Sequence, residues 1–127
     1  MTNHSFDNQM SPETYLCHGP FDPEVFGGVV NPPVYHASTV IFKNCKELNE
    51  RHQALFEDAE DEVMYYGRFG TPIPFAVQKA LAELEGGYRS LLVPTGLAAC
   101  TSALLALVKS GDHILVSSSV YGPTRGF

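Results

Sequence analysis

Residues 90–116, SLLVPTGLAACTSALLALVKSGDHILV, carry the reading on which the fold depends. Ser90-Leu91-Leu92-Val93 is an apolar run of strand length, and Pro94-Thr95-Gly96 turns the chain. Leu97 to Val108 is apolar nearly all round, the pattern of a helix buried on more than one side. Lys109 stands where a cation favours a helix C-terminus, Gly111-Asp112 turns again, and His113 to Val116 resumes a β-like run. Strand, buried helix and strand within about 30 residues predict a βαβ unit, and with it a parallel sheet carrying helices on its faces.

Upstream, Thr71 opens the clearest helix. Its hydroxyl is placed to cap, Pro72 suits the first helical position and Pro74 still lies in the first turn. Val77, Ala80, Leu81 and Leu84 form an apolar stripe at helical spacing, and Gly86-Gly87 stops it with a left-handed residue. Asn44 offers an N-cap, with Glu47 as capping-box partner, for a helix over about 45–57. Between these helices, Glu57 to Glu62 holds five carboxylates in six positions, read as a solvated acidic link rather than a metal site. Val34 to Phe42 favours extended structure behind the Pro32-Pro33 pair, as an ordered arm more than a sheet strand. Residues 1 to about 20 are polar and aperiodic and read as a mobile arm.

The 127 residues suffice for one modest domain, and 44% hydrophobic with 17% charged residues is ordinary for a globular protein. A net charge of −6 with no basic run argues against nucleic acid. No apolar stretch reaches bilayer length, and no secretory signal opens the chain, so a cytoplasmic protein without a membrane partner is expected. The Asn3-His4-Ser5 glycosylation match is then empty. Cys17, Cys45 and Cys100 are scattered and odd in number, which suggests reduced thiols rather than a disulfide framework or a zinc site.

Three places can hold chemistry. Pro94-Thr95-Gly96 ends a predicted strand and opens a helix, where free backbone N–H groups and the helix dipole favour an anion; a glycine turn that binds nothing is the plain alternative. In Tyr65-Tyr66-Gly67-Arg68-Phe69-Gly70, a phenol and a guanidinium two residues apart can both donate to a phosphate, or the loop is simply exposed. Tyr121, just past the second predicted strand, can stack on a planar ligand or serve as a turn residue. The dinucleotide and P-loop glycine patterns are both absent.

Taken in order, NPPVYHAST, YYGRFGTP, ALAELEGG, PTGLAA and SGDHILVSSSVYGPT resemble the pyridoxal-phosphate (PLP) enzymes that handle cystathionine and related sulfur amino acids. The likeness covers roughly residues 27–127. It implies an α/β architecture: an N-terminal arm and helix over 1–60, then over 61–127 the beginning of a fold type I PLP-binding large domain with a mostly parallel sheet, incomplete in this chain. It implies that Tyr66 and Arg68 reach the PLP phosphate of a neighbouring subunit. Gly96 and Leu97 would bind the phosphate of the subunit's own PLP, and Tyr121 would stack on its ring. A homo-oligomer, a dimer of catalytic dimers, is implied as well. Gly70-Thr71-Pro72 and the NPPVYHAST arm are similar to the β-lyase branch, whose members cleave cystathionine to homocysteine, pyruvate and ammonia. A γ-synthase, a γ-lyase, a sulfhydrylase and a non-catalytic remnant are the alternatives. None of Lys43, Lys46, Lys79 and Lys109 matches the lysine that carries the cofactor in that family, so no catalytic residue is assigned here and the chain alone is expected to be inactive.

Overall fold

The computed structural model describes residues 10–19, 21–57 and 62–127. The glycosylation match at Asn3 and most of the acidic run lie outside the described residues. The chain divides into two compact units, Met1–Ser90 and Leu91–Phe127.

The first unit is built on three helices. α1 (Pro12–His18) starts at Ser11, whose Oγ accepts from Thr14 N, with Pro12 in the first position. A mobile arm was expected through this segment. Instead Tyr15 is 1% exposed, and its hydroxyl donates to Glu83 Oε2 at 2.6 Å. The reason is local and distant at once: Ser-Pro is a helix start, and one aromatic side chain finds a buried seat and an acceptor. Pro23–Phe26 adds a short 3₁₀ turn.

α2 (Cys45–Phe56) begins where Asn44 predicts, and the Asn44 side chain accepts from Glu47 N at 2.9 Å. The reciprocal bond of the capping box is displaced by one residue, since Glu47 Oε2 accepts from Lys43 N at 2.7 Å.

α3 (Pro72–Leu84) is the helix expected behind Thr71, but the Thr71 hydroxyl makes no capping bond. A cap hydroxyl takes the N–H of the second or third helical residue, and the third here is Pro74, which has none. The stop is as expected. Gly86 has φ +63°, Gly86 N donates to Glu83 O, and Gly87 N donates to Ala82 O. These are the paired bonds of a Schellman motif, which needs the left-handed residue. The buried positions are Phe75, Ala76, Ala80 and Ala82, whereas Leu81 of the expected stripe is exposed. Ala76, Ala80 and Glu83 share a face at spacings of four and seven, and Glu83 is where Tyr15 lands.

This contact makes stability depend on pH. Burial, followed by the bond to the Glu83 carboxylate, raises the Tyr15 phenol above its ordinary value of 10.0. The folded state thus prefers the neutral phenol more than the unfolded chain does. The contribution is complete below pH 10 and is lost as pH climbs beyond the unfolded value. Unfolding midpoints of the wild type should fall steeply above about pH 10. Tyr15→Phe should begin about 1 kcal/mol less stable at neutral pH and show a shallower alkaline decline. Parallel alkaline limbs in the two proteins would refute this coupling.

The second unit holds α4 (Gly96–Leu107) and α5 (Gly122–Gly126). α4 matches the expected helix, but the surroundings do not match the expected βαβ unit. Among the described residues there is no strand, and neither 90–93 nor 113–116 forms one. No residue of α4 is buried, and Leu107 is 84% exposed. A strand exists only through a partner's ladder, and a lone pair of strands is marginal in water. Within the second unit and among the described residues, α4 has the five-residue α5 beside it, and much of its apolar surface stays exposed. The parallel sheet is thus not shown among the described residues.

Candidate functional site

In the first unit the sequence places a phenol and a guanidinium on one short turn, and the fold holds that turn against residues 37–39. Thr39 and Tyr66 form a single antiparallel bridge, and Gly67 N donates to Ser38 O at 2.7 Å. The backbones approach so closely that a Cβ on Gly67 would overlap the Ala37 carbonyl. Gly67–Phe69 then closes into a 3₁₀ turn, with Gly70 N donating to Gly67 O.

Two donors result. The Tyr66 hydroxyl oxygen accepts from Ser38 Oγ at 3.1 Å, which leaves its own proton available to another acceptor. Arg68 is exposed, its guanidinium carbon 4.8 Å from the Phe69 ring centre and 5.9 Å from that of Tyr66. Among the described residues it has no carboxylate partner. Stacked on rings and without a carboxylate partner among the described residues, it has an N–H fork that can serve an external anion.

Behind this turn lies an aromatic cluster that sequence reading missed. Phe56 meets Tyr65 edge-on at 5.7 Å and Phe69 edge-on at 5.2 Å, and Phe42 lies 5.5 Å from Tyr65. His52 sits 4.8 Å from Phe56. The rings come from three separated segments, so no periodicity announces them.

The second unit carries the other predicted residues. Thr95 caps α4, its Oγ1 accepting from Ala98 N at 3.0 Å. Gly96 and Leu97 supply the next two N–H groups, and no described residue accepts from either. A Cβ on Gly96 would meet nothing within 4 Å. The fold itself therefore does not require glycine there. Tyr121 precedes α5, is 62% exposed, and its carbonyl accepts from Thr124 N and Arg125 N. The residues expected to bind a cofactor are thus two donors on one turn in the first unit, and an amide pair with a tyrosine in the second.

Taken separately, the first unit presents an O–H and a guanidinium fork and the second an amide pair and an exposed ring, groups of the kinds that phosphates and flat heterocycles take. Among the described residues no helix is long and apolar enough to cross a membrane.

Comparison with known proteins agrees with this chemistry. The family model described as Cys/Met metabolism PLP-dependent enzyme matches residues 13–127. A provisionally named cystathionine beta-lyase of Rhizobium johnstonii is 46% identical over 90% of this chain and 26% of its own length. The cystathionine beta-lyase of Haemophilus influenzae is 40% identical over 90% of this chain and 28% of its own. An L-alanine/L-glutamate racemase of Wolbachia pipientis wMel is 37% identical over 80% of this chain and 27% of its own. The chain thus spans a little over a quarter of the length of these relatives.

Proposed function

Because the chain belongs to the Cys/Met metabolism PLP-dependent enzymes, a family whose cofactor is pyridoxal 5′-phosphate, we propose that it is the N-terminal part of a carbon–sulfur lyase acting on cystathionine. With one water consumed, the products are homocysteine, pyruvate and ammonia. The observation that supports this reading most is Arg68, a cation without an acid partner among the described residues, set beside a tyrosine whose hydroxyl accepts from Ser38 and meets no acceptor among those residues.

In this reading the amides of Gly96 and Leu97 hold the phosphate of the subunit's own cofactor. Tyr66 and Arg68 donate to the phosphate bound by a neighbouring subunit, which makes the working unit a homo-oligomer, a dimer of catalytic dimers. Tyr121 covers the ring and keeps it flat against the protein. Bound PLP supplies an electron sink that lets a proton leave the substrate's α-carbon and sulfur leave its β-carbon. The residues of this chain contribute by holding that group in register, since a shift of about 1 Å at a reacting centre can cost on the order of a hundredfold in rate.

The lyase names of the two more similar relatives favour β-cleavage, while the racemase supports a second reading in which the same frame acts on an amino acid without breaking a C–S bond. One assay separates them. The holoenzyme, given cystathionine, should release pyruvate together with a free thiol. Release of 2-oxobutyrate would indicate γ-cleavage. Conversion of L-alanine to D-alanine with no pyruvate from cystathionine would establish the racemase reading instead.

A further inference from the structure

Arg51, on α2, is not one of the residues expected to touch a cofactor. Its Nη1 donates to the backbone carbonyl of Met64 at 2.8 Å, two residues before Tyr66. Its Nη2 donates to Glu47 Oε1, also at 2.8 Å, and its guanidinium lies 5.5 Å from the Phe42 ring centre. Glu47 is itself fixed by the bond from Lys43 N. One planar group therefore ties the start of α2, the extended segment ending at Phe42, and the stretch leading into the Tyr66–Arg68 turn. With its side chain 37% exposed, Arg51 is partly shielded, and its fork is turned inward. Arg68 is the opposite case, an arginine whose fork is left for an outside group.

From this geometry we infer that Arg51 is a positioning residue for the phosphate-binding turn: it fixes the carbonyl of Met64, and through it where Tyr66 and Arg68 point. The inference rests on the reading of Tyr66 and Arg68 as phosphate donors. A lysine at position 51 cannot take its place. Its ammonium is a point charge without the planar fork, so it can keep the attraction to Glu47 but not hold both acceptors in fixed geometry.

The test uses the full-length holoenzyme and the dissociation constant of PLP, read by titrating the apo form, together with thermal midpoints. Arg51→Ala should weaken PLP binding about fivefold, the net scale of one ordinary hydrogen bond. Arg51→Lys should recover most of the thermal midpoint but little of the affinity. In a Tyr66→Phe/Arg68→Ala background, where the donors that Arg51 orients are gone, Arg51→Ala should cost no further affinity. An equal fivefold loss in that background would overturn the inference, because Arg51 would then act through general stability. So would an Arg51→Ala protein that loses thermal stability and keeps its PLP affinity. If the Tyr66→Phe/Arg68→Ala protein binds PLP as the wild type does, the reading of the turn itself fails, and the role of Arg51 fails with it.

Discussion

Replacing Arg68 with alanine in the holoenzyme is expected to raise the PLP dissociation constant by about 10- to 100-fold, the equivalent of losing charge-assisted hydrogen bonds to a phosphate. The expectation follows from what surrounds the residue. Arg68 has no carboxylate partner among the described residues, so removing it breaks no ion pair there and leaves no anion stranded. What it loses in the protein is the stacking on Phe69 and Tyr66, which at an exposed site is worth about 0.5–1 kcal/mol. The thermal midpoint of the apo protein should therefore move little while cofactor retention falls. Arg68→Lys should fall between, keeping the charge without the bidentate fork. At saturating PLP, turnover should largely recover, because in the proposed role the guanidinium holds the cofactor rather than joining in bond cleavage. Equilibrium titration of the apo protein, set beside kcat measured at high PLP, decides the matter. An unchanged dissociation constant would remove Arg68 from the phosphate site.

Gly67→Ala is expected to have the largest effect on structure. A methyl group there would run into the carbonyl of Ala37, and the obstacle is backbone, so no side-chain rotation relieves it. Either the Gly67 N to Ser38 O bond and the Thr39–Tyr66 bridge open, or the two segments separate together. Overpacking of this kind costs about 1–3 kcal/mol, and a lost backbone bond adds about 1 kcal/mol. Chemical denaturation should register a loss of roughly 2–4 kcal/mol. Because the bridge also sets the direction of Tyr66 and Arg68, PLP affinity should fall as well. A Gly67→Ala protein of wild-type stability would show that the close approach at Ala37 is dispensable.

How much of this was legible in the sequence depended on whether the cause was local. The start of α2 could be read because Asn44 and Glu47 stand three apart, and the end of α3 because two glycines follow a helical stripe. The left-handed glycine and its paired bonds are properties of a few adjacent residues. The missing cap at Thr71 was equally local and was overlooked, since Pro74 removes the N–H that the hydroxyl would take. Distance defeated the rest. Nothing near Tyr15 announces an acceptor 68 positions away at Glu83, and a polar arm was expected where a docked helix stands. The runs at 90–93 and 113–116 have the composition of strands, but pairing belongs to neighbours, and composition cannot supply them.

The candidate site divides along the same line. The family resemblance pointed to Tyr66, Arg68, Gly96, Leu97 and Tyr121, and their use there stays a proposal. Arg51 and Ser38 were not singled out. Arg51 stands four residues after Glu47, a spacing that signals a helical ion pair and nothing more. Its second bond, to Met64 O, crosses a loop and has no signature in spacing. Ser38 could be recognised only through the segment that its backbone meets.

In the proposed phosphate site, the hydroxyl of Ser38 bears on selectivity. By occupying a lone pair on the Tyr66 oxygen, it biases that edge toward giving hydrogen, and the guanidinium beside it has no lone pair to offer at all. A dianionic ester satisfies such an edge from every side. The dephosphorylated vitamin form, bringing a hydroxymethyl group that must itself find an acceptor, meets groups that mostly answer in kind. Discrimination between the activated coenzyme and its precursor would then begin with the direction of one serine proton.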